Sequence, residues 1–506
     1  MESNRTSLRV AKEPSFAIAP VNPVYKEIRR TTDALAYTPA TDVSAEIESS
    51  RQILDLIQTG ADAAGDVGME LSIENMDPFL EGLFCNSWLR QPEVLQGLSW
   101  KYGASATRIT GIANATSVTT VTLAATSVLS GSSIVATGAA FVAGHLLRLS
   151  GFSTAGTNGL YPVTGSTATT ITFAGSLTDA APVAGSKVKV VGFQGAAGDL
   201  VATITGGSAL TSTTLNFTTL GLIVGQWVKI SGEGGAFSFA TAALNGYARV
   251  SAISATRLSF DATQGIFAAD TGVGKTIRVY FGDTIRNGVT ATTYRYEKQY
   301  ELQVGTRFSY FAGMQPSSMT VTGQTRGILG VTMSMMGSIG STPAATRDSG
   351  AVTEGIASNS VLDASNSVPM VMEAGAVLGA PNYVSGFAFT LDNGLRARMA
   401  IGQPGAIGLG LGRANITGTL TTYFGDETLL TKLRNNTASG ATIAFRDAAM
   451  SKGEIWDIPR LKYTSGFPDV PGIDTDLMTP LGFQSLRDVA NSRDYTILLS
   501  RFDYLV

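Results

Sequence analysis

Carboxylates are the residues of this chain whose spacing first suggests a purpose. In VSAEIESSRQILDLIQTGADAAGDVGMELSIENMDPFLEGLFCNSW, Val43 to Trp88, the acids Glu46 and Glu48 alternate with Val43, Ala45 and Ile47, while Glu70 and Glu74 alternate with Met69, Leu71 and Ile73. Successive side chains of a strand point to opposite faces, so each arm carries its acids on one side. Two such arms around a Gly-rich turn read as a hairpin whose apolar face rests on a core and whose acidic face meets water or a charged partner. Carboxylate pairs also serve glycosidases, but Glu46 with Glu48 is the spacing any strand surface produces.

Other candidate chemistries fail on their residues. GVGKT at Gly272 to Thr276 approximates a phosphate loop, yet the first Gly of that pattern would fall at Ala269 and a strand follows where a helix is needed. GLGLGR from Gly408 lacks the dinucleotide-binding spacing. His145 is the only histidine, which removes His-based triads and most zinc sites. Cys85 is the only cysteine, so the chain holds no internal disulfide, and its place on an apolar helix face predicts a buried structural thiol. No catalytic group, cofactor site or metal site is expected.

The elements that must position the acids follow. After the hairpin, Asn75 or Asp77 can cap a helix and Pro78 suits its first turn; Phe79, Leu80, Leu83, Phe84 and Trp88 then share one stripe that packs on the sheet. A second capped helix is expected at DETLLTKLRNN, with Leu429, Leu430 and Leu433 as its packing residues. GMELSIENMDPFLEGLFCN from Gly68 aligns without gaps onto GTLTTYFGDETLLTKLRNN from Gly418, which hints at a duplication.

At 506 residues the chain exceeds what one core usually holds, and with 57 Gly and only 15% charged residues it suits short strands and tight turns. Residues 1–42 read as an extended arm broken by Pro14, Pro20, Pro23 and Pro39. Residues 107–283 read as an insertion containing a repeat: Gly144 to Phe173 matches Gly225 to Phe260, each with an Asn-Gly pair (Asn158 and Gly159; Asn245 and Gly246). The division is then an arm at 1–42, a first fold at 43–106 and 284–340, small all-β modules at 107–196 and 197–283, a joint at 341–366 and a second fold at 367–506. The insertion is expected to be peripheral, so that its deletion leaves assembly intact. Nine of the 36 basic and six of the 39 acidic residues lie within 107–283, which leaves 27 basic against 33 acidic elsewhere; the acidity belongs to the body. A formal net charge of -3 excludes a generally basic nucleic-acid binder. No window of eighteen uninterrupted apolar residues exists and the N-terminus lacks the apolar core of a secretion signal, so a soluble protein made in a cytoplasm is expected, without membrane insertion.

A set of motifs carries a resemblance. EPSFA, SAEIESSRQILDLIQTGADAAGDVGMELS with DPFLEGLFCNSW, YEKQY, FSYFAGMQPSSMTVT with SMMG, GTLTTYFGDETLLTKLRNNT, DIPRLKYTSG and PLGFQSLRD occur in this order. Together they resemble the major tail tube proteins of long, flexible-tailed bacteriophages over most of residues 8–106 and 284–506. The resemblance implies a mainly β fold, a sandwich or barrel with a flanking helix, in rings that stack into a hollow tube of the virion tail. Such rings are hexameric, or trimeric when each chain carries two copies; the duplication favours three. The implied partners are further copies of the chain, the tape-measure protein in the lumen, and DNA passing without sequence-specific binding. Six folds giving four strands each, about 4.8 Å apart and tilted near 40°, would close a barrel of roughly 48 Å backbone diameter, wide enough for duplex DNA. A channel for phosphates should avoid basic contacts. Glu46, Glu48, Glu70 and Glu74 are therefore the expected lumen-lining residues, with Arg396, Arg398 and Arg413 putting the second half's lining in doubt. The alternative reading is a host-recognition protein whose β modules bind a glycan or appendage, leaving the acids on a solvated outer face.

Overall fold

The computed structural model describes residues 2–505 except 48, 51, 104, 105, 116, 136, 137, 176, 178–180, 469, 471, 491 and 492. The fold is mainly β, with two α-helices among the described residues. It divides into unit 1, Met1–Asn86, Gly288–Ala364 and Gly386–Leu420, and unit 2, Ser87–Asn287, Ser365–Ser385 and Thr421–Val506.

Unit 1 contains β1 (Thr6–Lys12), β2 (Ala36–Val43), β3 (Leu56–Glu70), α1 (Asp77–Phe84), β4 (Tyr294–Leu302), β5 (Gly305–Gln324), β6 (Gly330–Gly337) and β7 (Val384–Asp392). Its centre is a four-stranded antiparallel sheet in the order β3-β6-β5-β7, with β2 continuing it beyond β3. One face is apolar and buried: Ala61, Ala63, Val67 and Met69 on β3, Val331, Met333 and Met335 on β6, Met319 and Val321 on β5, Phe389 and Leu391 on β7.

Helix α1 lies against β5, and its Phe79, Leu80, Leu83 and Phe84 are buried within unit 1. Each such side chain taken from water contributes about 1.5–3 kcal/mol. The Tyr294 hydroxyl accepts from the Gly82 N–H at 2.9 Å, Gln315 Nε2 donates to the Gly82 carbonyl at 3.1 Å, and Asn393 Nδ2 donates to the Leu83 carbonyl at 2.7 Å. Asn75 does not cap this helix; its side chain bonds both the N–H and the carbonyl of Arg29 at 3.0 Å. Nor is Trp88 part of the stripe. Helix α1 ends at Phe84, Cys85 turns left-handed at φ 50°, and Trp88 is buried in unit 2 with the Arg501 guanidinium 5.2 Å over its ring.

Three expectations about the chain's layout change. The stretch read as an extended arm carries β1, which pairs with β4 from Thr6 opposite Tyr300 to Lys12 opposite Tyr294 and buries Leu8 and Val10. Pro14, Pro20 and Pro23 fall after this strand, and Pro39 sits within β2 opposite Ala61. The hairpin exists, but its arms are β2 and β3, so residues 44–47 and 71–76 lie outside strands. The Ala- and Gly-containing run GADAAGDVG, read as part of a turn, is the middle of a 15-residue strand. Finally, residues 386–420, assigned by sequence to the second fold, belong to unit 1.

In unit 2 the internal repeat is visible as geometry. One sheet runs Ile109–Ala115, Val118–Leu123, Thr170–Ala174, Gly159–Ser166, His145–Ser150, Lys187–Gln194; the second half repeats that order as Val201–Thr203, Ala209–Thr211, Arg257–Thr263, Tyr247–Ile253, Trp227–Ile230, Arg278–Tyr280. The two last strands pair antiparallel, Phe193 opposite Val279, so the halves meet through equivalent strands about a local two-fold. Asn158 clasps Phe152, accepting from its N–H at 3.0 Å and donating to its carbonyl at 2.9 Å; Asn245 clasps Phe239 with the same two bonds at the same distances. Gly144 and Gly225, at φ 94° and 91°, open the matching strands in a conformation that a Cβ would strain.

The repeats are not free-standing appendages. Leu146, Val191, Trp227, Tyr247 and Tyr280 share one buried cluster with Met370, Met372, Ala444, Ile455 and Phe502. Strand Arg90–Leu95, assigned by sequence to the first fold, also pairs with Lys187–Gln194. Deletion of residues 107–283 strips one side from that cluster, so the truncated chain is expected to lose cooperative unfolding in denaturant titration instead of assembling normally. A Cβ at Gly82 would sit 2.7 Å from the Tyr294 ring and 2.9 Å from Pro316 Cδ. Gly82→Ala should therefore destabilise unit 1 by about 1–3 kcal/mol, read as a lowered denaturation midpoint at unchanged slope.

Candidate functional site

The opposite face of the four-stranded sheet in unit 1 is left bare except at Gly68, which Thr31 and Thr32 cover. On β3 it presents Asp62, Ala64, Asp66, Gly68 and Glu70, of which the three acids are exposed. Register then fixes the rest: Ser334 opposite Asp66, Thr332 opposite Gly68 and Gly330 opposite Glu70 on β6; Ser318, Thr320 and Thr322 opposite these on β5; Asp392, Thr390 and Ala388 on β7. Thr320 Oγ1 and Thr390 Oγ1 lie 2.8 Å apart, which confirms that the paired positions share the face. Four carboxylates, a band of hydroxyls and no Lys or Arg occupy these positions. The surface holds water and repels phosphate, and it offers no directional donor set for a ligand.

The sequence-predicted acids fall differently from one another. Glu70 ends β3 on the bare face. Glu46 is exposed in the loop that follows β2, and Glu48 lies outside the described residues. Glu74 is half-buried at φ 71°, where its Oε2 accepts from Asn359 Nδ2 at 3.1 Å. The single-parity face proposed for all four is therefore not formed. Sequence reading missed Asp62, Asp66 and Asp392. For the first two a signal existed: Ala61, Ala63, Val67 and Met69 alternate with Asp62, Asp66 and Glu70, but small residues gave the alternation little hydrophobic contrast.

Arg396, Arg398 and Arg413 are exposed in unit 1, the first two on a separate two-stranded hairpin of Arg396–Arg398 with Gly408–Gly410. In unit 2 the outward positions of strands Lys452–Ser465 and Met478–Ser485 include Arg460 and Lys462, both half-buried. Helix α2 (Thr428–Arg434) buries Leu429 and leaves Leu430 and Leu433 half-buried.

A second surface is the tip of the β2–β3 hairpin. Val43, Ile47, Ile53, Leu54, Leu56 and Ile57 are all exposed there, Ile47 completely at 102%. Of the apolar face expected to rest on a core, Met69, Leu71 and Ile73 are buried, while Val43 and Ile47 are exposed.

The candidate chemical groups are inert. His145 is buried; Val142 N–H donates to its Nδ1 at 3.2 Å, leaving Nε2 to face the Leu220 carbonyl at 3.3 Å, and burial pulls its pKa down to about 4. The Cys85 thiol is pushed up to about 11 by burial, against a hydrogen bond from Gln315 that opposes the shift. Gly272 and Gly274 take positive φ in a turn before strand Arg278–Tyr280, and Gly408–Gly410 is a short strand, so neither Gly-rich motif opens a helix. No group of three or more potential metal ligands occurs among the described residues.

No curated protein matches the chain. The family model described as phage tail tube protein matches residues 3–485. With that match spanning nearly the whole length, the chain belongs to the phage tail tube protein family, and it is a structural, self-assembling component of the virion tail, not an enzyme.

Proposed function

We propose that this chain is the major tube subunit of a long, flexible-tailed phage, assembled in the host cytoplasm into stacked rings around a lumen that holds the tape-measure protein and then conducts DNA. The observation that carries this reading is the bare face of β3, β6, β5 and β7. A sheet with one face filled by its own helix and the other acidic and free of cations suits the wall of a channel for phosphates. Asp62, Asp66, Glu70 and Asp392 line the lumen in this reading.

Two tube folds per chain, and hence three chains per ring, are supported by a likeness between the halves. In unit 1, β5 pairs with β4 up to Met314 and with β6 from Gln315. In unit 2, strand Lys452–Ser465 pairs with Ser439–Asp447 as far as Leu461 and, from Leu461 on, with Met478–Ser485. Each long strand has a short helix against it, α1 in one unit and α2 in the other. Because Arg460 and Lys462 stand in unit 2, the acidic lining is carried by unit 1. The 107–283 modules face away from the lumen in this arrangement.

The exposed hairpin tip supplies the apolar contact to a neighbouring copy, since nothing in its own chain covers it. Electron microscopy of the purified protein should show stacked rings with a central hole, and the mass of one ring should equal three chains; six full chains per ring would count against the duplicated fold. Replacing Asp62, Asp66 and Glu70 together by Lys should leave rings intact but slow DNA release from particles, with recovery as salt is raised. Release at the normal rate at every salt concentration would remove these residues from the lumen. Ile47, Ile53 and Ile57 changed together to Ser should preserve the unfolding midpoint, because the residues are exposed, yet raise the protein concentration needed for tube formation at least several-fold in sedimentation. Unchanged polymerisation would show that the tip makes no subunit contact.

A further inference from the structure

We propose that the tip of the β2–β3 hairpin plugs into a socket on unit 1 of the next copy, a cavity beside the hairpin of Arg396–Arg398 with Gly408–Gly410 and rimmed by its exposed arginines. This names the partner surface of the contact proposed above, and it rests on the tip being a subunit contact. The cavity holds about 330 Å³ and is lined by Phe16, Ser338, Ile339, Pro404, Ala406 and Ile407, all in unit 1. A cavity of about 150 Å³ admits one benzene-sized group, so this one takes about two aliphatic side chains. Its walls are fixed by the chain's own bonds: Ser338 Oγ donates to the Ala406 carbonyl at 2.6 Å, and the Pro404 carbonyl accepts from the Ala61 N–H at 2.7 Å.

Socket and tip match in apolar character and in charge. The Ile407 N–H donates to the Arg398 carbonyl at 2.8 Å, which sets the basic hairpin at the edge of the cavity. Met399, Ile401 and Ile407 are exposed there and give the rim apolar surface of its own. Residues 395–413 carry three arginines and no acid, whereas residues 42–57 carry four acids against one arginine, so a formal +3 faces a formal -3. Arg396, Arg398 and Arg413 on one side and Asp42, Glu46 and Asp55 on the other are all exposed, and none of the six enters an ion pair among the described residues. Opposite charges around apolar centres steer two surfaces together and fix their register.

The occupant is a second copy because the tip cannot fill the socket of its own chain. The cavity sits at the base of the hairpin: Pro404 meets β3 at Ala61, and Gly337, next to Ser338, pairs with Ala63. The ladder of β2 and β3 runs on to Val43 opposite Leu56. Five residues of strand, at about 3.3 Å each, carry Leu56 roughly 17 Å past Ala61. An extended ribbon does not fold back onto its own base, so the plug and the socket of one copy stay apart. Each copy then offers one of each, the heterologous arrangement that repeats from copy to copy.

Cysteine cross-linking of the full-length protein tests the pairing, since the native Cys85 is buried. Chains carrying Leu54→Cys are mixed with chains carrying Ile407→Cys, assembled into tubes and oxidised. A two-chain band that requires both variants should appear on a non-reducing gel. Tubes without that band, or a band from the Leu54→Cys chains alone, would overturn the proposal. If the band is missing while the change of Ile47, Ile53 and Ile57 to Ser still impairs polymerisation, the tip remains a contact and only this socket is lost; if that change is harmless as well, both readings fall. Charge reversal decides the matter where the cysteine variants assemble poorly. Arg396→Glu with Arg398→Glu should raise the concentration needed for tubes about tenfold, and adding Asp42→Arg with Asp55→Arg should recover most of the loss. Polymerisation untouched by the first pair, or not recovered by the second, would overturn the docking.

Discussion

Everything in unit 1 follows from the unequal faces of one antiparallel sheet. Met, Val, Ala, Phe and Leu on one side force a cover, and the chain supplies it from next door: three turns of nothing but tight turn and helix carry Phe79, Leu80, Leu83 and Phe84 onto β5 immediately after β3 ends. The fit is close enough that the helix approaches through a glycine, with Tyr294 and Pro316 in the place a side chain would need. Because the cover is fixed on one face, the hydroxyls and carboxylates of the other are left to face solvent.

Unit 2 solves a different problem by repetition. Each half of the repeat has six short strands, too little core to stand securely alone, and pairing equivalent strands through Phe193 and Val279 doubles the continuous sheet. The further burial of Trp227, Tyr247 and Tyr280 against Ile455 and Phe502 makes the C-terminal strands part of the same body. What sequence texture marks as an insertion is, in packing terms, an integral half of a unit. Texture reports composition, whereas unit boundaries are set by who buries whom.

This difference explains what was legible. The repeat was readable to the residue because Asn158 and Asn245 perform a local task, closing a loop onto the residue six positions earlier, and local tasks leave local signatures. The mainly β character, the helix at DPFLEGLF and the burial of Cys85 were readable for the same reason. The acidic face was half-readable. Glu70 was placed by alternation against Met69 and Leu71, but Asp62 and Asp66 sit among Ala and Gly, whose small side chains hide the period, and Asp392 joins the face only through a pairing with Ser318 that spans most of a domain. Glu74 was misplaced because the strand stops at Glu70 and the chain enters a left-handed turn, a switch that alternation of apolar residues cannot register.

The hairpin tip shows why the fold and the assembly must be considered together. A two-stranded ribbon gains little from its own ladder, and β2 is exposed along its full length. Six large aliphatic side chains at its end are exposed, and an apolar ribbon end of this kind is an aggregation hazard that contact with another copy would remove. A contact made by a projecting tip of one copy on a different surface of the next is heterologous, and heterologous contacts propagate unless rotation closes them. Lateral closure would bound a ring and axial repetition would extend a tube, and a single chain with one projecting apolar tip and one bare polar wall has surfaces suited to both.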